Sequence, residues 1–271
     1  MLSDWLPLVF AIFIWWFSTG LVLLLDNLPH STFRWSLVIS TLVAGGAFWG
    51  LAHTAQQTTV AGAYCAFTCA LLVWGWHELS FLTGWITGPR RVAGTPGAQG
   101  WQRFSEAVQA ILWHEIGIIA AGVAIVWLTW GAANQVGSWT FLVLWAMRTS
   151  AKLNLFYGVR NLSEEFLPPQ LKYLQTYFRR RPMNMLFPLV VTAATVVTTL
   201  MVMAAFAPGT GEAARTGLLL VATLLGLAIL EHWLLVLPIE ATALWRWAMR
   251  RRAAKQAQAE HAGDNTLMHA R

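Results

Sequence analysis

Seven stretches of this chain are apolar over about twenty residues or more, the length a helix needs to cross ~30 Å of hydrocarbon at ~1.5 Å per residue. They run from Trp5 to Leu25, Trp35 to His53, Val60 to Gly84, Ala107 to Trp130, Trp139 to Tyr157, Met185 to Ala207 and Gly217 to Pro238. A chain of 271 residues that is 57% hydrophobic and 11% charged, with 17 tryptophans, is too apolar for a soluble domain. The expected fold is all-α: a polytopic integral membrane helical bundle of about seven transmembrane helices, formed by residues 1–252, with a flexible cytoplasmic tail over 253–271. The first run lacks a basic leader and a small-residue cleavage site, so it reads as a retained span. The fifth is the most polar, because Arg148 and Lys152 interrupt it.

Charge sets the expected orientation. Of 18 lysines and arginines, Arg148 and Lys152 lie within the fifth run and Arg215 precedes the seventh. All the others fall in alternate connections, 26–34, 85–106 and 158–184, or beyond Pro238. The short turns on the other side, 54–59 and 131–138, carry none, which predicts an outside amino terminus and a cytoplasmic carboxyl terminus. The net charge of +6 is then a topology signal reinforced by anionic lipid, and it does not point to nucleic acid. Near 169–181, Leu171, Leu174 and Phe178 share one helical stripe after Pro168-Pro169, as expected for a short interfacial helix.

Within the apolar runs a histidine and a glutamate stand side by side three times, each with a tryptophan beside the histidine: Trp76-His77-Glu78, Trp113-His114-Glu115 and Glu231-His232-Trp233. Ionisable residues are costly in hydrocarbon and mark a functional site by default. The topology puts all three pairs roughly 9–12 Å inside the cytoplasmic boundary. Arg148 and Lys152, four apart and so on one helical face, are expected to meet Glu78, Glu115 or Glu231; Asn154 and Asn161 follow, and Glu164 and Glu165 stand at the cytoplasmic mouth. As charge-pairing or substrate residues, Arg148, Lys152, Asn154, Asn161, Glu164 and Glu165 complete the candidate set.

Three chemistries fit this pattern. Imidazole and carboxylate suit iron or another divalent metal, so His77, Glu78, His114, Glu115, Glu231 and His232 are candidate ligands, although adjacent His and Glu diverge by about 100° around a helix, poor geometry for one metal. One imidazole alone suits axial ligation of a (bacterio)chlorophyll-type tetrapyrrole packed on tryptophan. The set is equally satisfied as a hydrogen-bonded charge network that fixes helix packing. Cys65 and Cys69, about 12 Å along the helix from His77, belong to packing, and His30 and His53 lie near span ends. Phosphate-loop, dinucleotide and nucleophile-elbow patterns find no credible context, and no inverted repeat supports transport.

The string Asn154-Leu155-Phe156-Tyr157-Gly158-Val159-Arg160-Asn161-Leu162-Ser163-Glu164-Glu165-Phe166-Leu167-Pro168-Pro169-Gln170, with His77-Glu78-Leu79-Ser80-Phe81-Leu82-Thr83-Gly84, resembles the PuhE family, a family of purple phototrophic bacteria associated with photosynthetic complex assembly. The resemblance extends over nearly the whole chain. It implies a multi-pass protein of the bacterial inner (intracytoplasmic) membrane acting in photosynthetic complex assembly or bacteriochlorophyll biosynthesis. Its implied partners are membrane lipid and reaction-centre or light-harvesting assembly factors or pigment-synthesis enzymes. It assigns no reaction. The alternative from the residues themselves is a membrane-embedded di-metal oxidoreductase, with iron as the metal, acting on a tetrapyrrole, carotenoid or quinone.

Overall fold

The computed structural model describes residues 2–238 together with Trp245 and Ala248, so the expected tail over 253–271 and the end of the membrane domain at 252 lie outside the described residues. The described part is a helical bundle: α1 Leu2–Asp26, α2 Phe33–Thr54, α3 Val60–Leu82, α4 Gly100–Leu128, α5 Val136–Tyr157, α6 Leu186–Ala205 and α7 Glu212–Val236. All but α5 are long and apolar enough to cross a membrane. The protein is thus a multi-pass membrane protein by length and composition of its helices.

Helix α5 is the instructive exception. Its 22 residues are long enough to span, yet Arg148, Ser150, Lys152 and Asn154 lower its hydropathy. Their positions explain how the bundle tolerates them. Helix α5 packs against α3, α4, α6 and α7, and α3 in turn against α1, α2, α4, α5 and α7. Helices α3, α5 and α7 therefore form the centre, with α1, α2, α4 and α6 around them. A polar helix is affordable only in the middle, where neighbouring helices supply partners in place of lipid.

The chain reverses at each connection, so most exposed tryptophans collect in two belts. Trp5, Trp49, Trp127, Trp130 and Trp139 lie toward the end of the bundle where α1 starts, and Trp35, Trp85, Trp101 and Trp233 toward the opposite, basic end. Indole rings at headgroup level anchor both faces. His30 and His53 are exposed near helix ends, with His53 stacked on Trp49 at 5.1 Å. Cys65 and Cys69 are free thiols 3.9 Å apart on α3, and Gly50 of α2 presses against Cys69.

Several boundaries differ from those that hydropathy suggests. Helix α4 starts at Gly100, not Ala107, because its charged first turns are tied to the preceding loop: Glu106 accepts from Thr95 N at 2.9 Å and pairs with Arg90 at 3.3 Å. Helix α7 starts at Glu212, not Gly217, with Arg215 paired to Asp4 at 3.7 Å. Helix α3 ends at Leu82, where Gly84 turns left-handed at φ 79°. The expected interfacial segment is a 3₁₀ helix, Pro169–Tyr177, whose buried side chains are Leu171, Leu174 and Tyr177. Spacing of three suits three residues per turn, so Tyr177 replaces Phe178 on the buried stripe.

This 3₁₀ helix and the α3–α4 loop form a floor across the basic end. Gln170 Nε2 donates to Leu82 O at 2.6 Å, Tyr177 Oη to Val92 O at 3.0 Å, and Gly94 N to Thr176 Oγ1 at 2.8 Å. The loop also lies directly on α4, where Gly88 approaches so closely that a Cβ would sit 2.0 Å from Gln109 O. Thr87 O accepts from His114 N at 2.9 Å.

Candidate functional site

Two residues along a helix rotate a side chain by ~200°, so α5 presents two opposed polar faces: Arg148 with Lys152, and Ser150 with Asn154. The first face meets carboxylates from the helices on that side. Arg148 Nη2 stands 3.3 Å from Glu78 Oε2 of α3, and Lys152 Nζ pairs with Glu115 Oε1 of α4. The second face meets α7: Ser150 Oγ lies 2.5 Å from His232 Nε2. His232 Nδ1 is 2.8 Å from Ala228 O, a group that only accepts, so Nδ1 carries the proton and Nε2 accepts from the serine hydroxyl. Asn154, fully buried, donates to Ser150 O at 3.0 Å and accepts from Asn184 Nδ2 at 2.9 Å.

The third carboxylate is held differently. Glu231 Oε1 accepts from Trp15 Nε1 of α1 at 2.9 Å and sits in the field of Arg148, with no ion pair of its own among the described residues. His77 and His114, buried at 4% and 2% exposure, face each other across α3 and α4 with ring centroids 6.5 Å apart. His114 also packs on Phe81 at 4.4 Å, and its Nδ1 has no hydrogen-bond partner among the described residues. These contacts put the three His/Glu pairs and α5 at one level. That level lies close to the floor, since the α3–α4 loop reaches His114 N through Thr87 O.

Arg148 is the group most open to its surroundings. Its side chain keeps 46% of its accessible surface, against 15% for Glu78, 27% for Lys152 and 20% for Glu115. A guanidinium set among three carboxylate-bearing helices thus keeps nearly half of its side-chain surface uncovered.

The other candidates stand apart from this layer. Asn161 donates its Nδ2 to Leu234 O at 2.7 Å and to Leu237 O, and its backbone N to Leu235 O at 2.9 Å, which terminates α7. Glu164 reaches Arg180 at 3.9 Å, and Glu165 lies in the same 3₁₀ turn, Glu164–Phe166. Trp113 and Trp233 are 51% and 44% exposed, turned outward from the layer, and Trp76 Nε1 donates to Thr41 Oγ1 at 2.8 Å. Among the described residues no three of His, Cys, Asp and Glu gather as a metal shell, and two of the three glutamates are engaged by cations.

Sequence reasoning passed over Ser150, Trp15 and Asn184. Ser150 carried a signal, standing two residues from both Arg148 and Lys152 within an apolar run. Trp15 carried none, as one tryptophan among 17.

Comparison with known proteins adds kinship to this geometry. The chain is 39% identical over 253 residues to a protein of Rhodobacter capsulatus described as an uncharacterized 30.4 kDa protein in the puhA 5′ region, covering 92% of each chain. No solved structure matches it. The family described as protein of unknown function DUF3623 matches residues 1–256, so this membrane-spanning chain belongs to that family.

Proposed function

We propose that the chain is a PuhE-type integral membrane factor acting in photosynthetic complex assembly or bacteriochlorophyll supply. It resides in the bacterial inner (intracytoplasmic) membrane, with its amino terminus outside and its carboxyl terminus cytoplasmic. The observation that carries this reading is the 39% identity, over 92% of both chains, with a protein of the puhA 5′ region. The resemblance of Asn154 to Gln170 and of His77 to Gly84 to the PuhE family supports it.

The intramembrane His/Glu layer is the working site in this proposal. Arg148 offers a guanidinium, 46% open, that hydrogen-bonds oxygen atoms of a lipid-soluble molecule entering from the bilayer. A (bacterio)chlorophyll-type tetrapyrrole with carboxyl or carbonyl substituents has the required chemistry. The partners are reaction-centre or light-harvesting assembly factors or pigment-synthesis enzymes that receive or deliver that molecule.

The test is an in-frame deletion in a phototrophic host, complemented with wild-type protein or Arg148→Met. Near-infrared spectra of membranes report assembled complexes, and solvent extracts report total bacteriochlorophyll. Loss of complexes with normal pigment assigns the protein to assembly, and parallel loss of both assigns it to pigment supply. Unchanged spectra and unchanged pigment in the deletion strain reject the proposal.

A further inference from the structure

Away from the intramembrane layer, at the basic end of the bundle, three guanidiniums gather, none of them ion-paired to a carboxylate among the described residues: Glu106, one turn from Arg103, is engaged by Arg90. Arg103 on the first turn of α4 is fixed: its Nη2 donates to Tyr177 O at 2.6 Å and Phe156 O at 3.0 Å, and its Cζ lies 3.9 Å above the Phe156 ring. Immediately beyond Tyr177 the chain runs extended beside the end of α5. Arg179 N donates to Leu155 O at 3.0 Å, Val159 N to Arg179 O at 3.2 Å and Arg181 N to Val159 O at 3.0 Å, a short parallel bridge between Val159 and Arg180.

Extended backbone sends successive side chains to opposite sides. Arg179 and Arg181 therefore share one side and Arg180 takes the other. The two sides have different electrostatics. Arg180 reaches Glu164 at 3.9 Å, whereas Arg179 and Arg181 pair with no carboxylate among the described residues and act repulsively on Arg103. The Arg181 stem lies on Gly158, where a Cβ would come within 2.8 Å of Arg181 Cγ and where φ is 120°, so only glycine lets the arginine approach. Like charges held together by a hydrogen-bonded backbone at a headgroup-level surface are stabilised by an anion between them.

We infer that Arg103, Arg179 and Arg181 form a binding site for a phosphate-bearing anion, supplied either by an anionic phospholipid headgroup or by free phosphate. Arg179 and Arg181 sit on a segment whose backbone is tied to the end of α5, and Arg103 is held there by its side chain through Phe156 O, so the site is preorganised. Bidentate guanidinium–phosphate contact is the chemistry that fits it. Arg180, one residue away with the same charge, lies outside it.

That asymmetry gives the test, since bulk attraction to a charged bilayer counts all four arginines alike. Full-length protein in a neutral detergent is titrated with dioctanoyl phosphatidylglycerol, dioctanoyl phosphatidylcholine or inorganic phosphate at fixed ionic strength, and thermal stabilisation is recorded. The wild type is expected to be stabilised by phosphatidylglycerol and not by phosphatidylcholine. Arg179→Gln and Arg181→Gln should each weaken that response roughly tenfold, while Arg180→Gln stays within about twofold. Stabilisation by phosphatidylglycerol alone identifies a lipid headgroup, and an equal response to inorganic phosphate identifies the free ion. Equal losses in all three variants, or a wild type stabilised by neither anion, overturn the site. Because Arg179 and Arg181 are exposed and donate only their backbone to the bridge, both variants are expected to fold.

Discussion

Arg148 on α5 and Glu78 on α3 meet at 3.3 Å within the bundle, and the pair is lopsided: the carboxylate side chain is 15% exposed and the guanidinium 46%. Removing the open partner leaves the enclosed one without its counter-charge. Arg148→Met should therefore destabilise the bundle by roughly 1–3 kcal/mol, below the 3–5 kcal/mol of a fully enclosed pair because Arg148 is partly open. Adding Glu78→Gln should recover part of the loss. Equilibrium unfolding in mixed micelles across the four-member cycle measures this, and an Arg148→Met protein as stable as wild type would show that the pair carries no net interaction.

The layer holds three glutamates against two cations, and the odd one is Glu231, whose hydrogen-bond partner among the described residues is the neutral Trp15 indole at 2.9 Å. Glutamine at 231 keeps an oxygen for that indole and removes no ion-pair partner, so Glu231→Gln should change stability by less than about 0.5 kcal/mol. Glu115→Gln, by contrast, leaves Lys152 without its carboxylate and should cost roughly 1–2 kcal/mol. Melting temperatures in detergent for the two variants, which differ by the same pair of atoms, decide between them. Equal losses would mean that Glu231 is held by charge.

How much of this the sequence makes legible depends on range. The spans follow from apolar length, and the polar face of α5 from Arg148 and Lys152 standing one turn apart. What crosses between distant segments does not follow. Trp15 and Glu231 are 216 positions apart and Ser150 and His232 are 82 apart, and each meeting depends on how whole helices rotate against one another. The segment after Pro169 fails for another reason: Leu171, Leu174 and Phe178 satisfy an α-helical stripe as well as Leu171, Leu174 and Tyr177 satisfy a 3₁₀ one. The tertiary demand of Arg90 and Val92 for the Tyr177 hydroxyl, both at 3.0 Å, matches the second.

Ser150 supplies the one hydroxyl among the described residues that His232 Nε2 accepts, at 2.5 Å, in a place where His232 is 2% exposed. Ser150→Ala should leave that nitrogen unsatisfied and cost about 1–2 kcal/mol, and Ser150→Thr should retain most of the bond. If alanine and threonine unfold alike in micelles, the contact is incidental to packing.

The basic connections predict topology directly. Alkaline phosphatase fused after Gln57, Ala133 or Gly209 should be active, and fused after Gly94 or Arg160 inactive, because the proposed orientation puts the former connections on the outer side. The opposite pattern would reverse the proposed orientation and move the Arg103–Arg179–Arg181 surface to the other leaflet.

Gly88 marks where the α3–α4 loop presses on α4, with Gln109 O only 2.0 Å from the position a Cβ would take and Ala110 C at 2.6 Å. Both are backbone atoms of a helix interior, so no side-chain rotation relieves the clash. Gly88→Ala must lift the loop, breaking the bond from His114 N to Thr87 O and exposing the floor beneath the charged layer. The expected loss is about 3 kcal/mol or more. In membranes, limited proteolysis should then cut between Trp85 and Ala98 far faster than in wild type, with the remaining helices intact. Unaltered cleavage would mean that the loop is free of α4 and that the floor does not seal the layer above it.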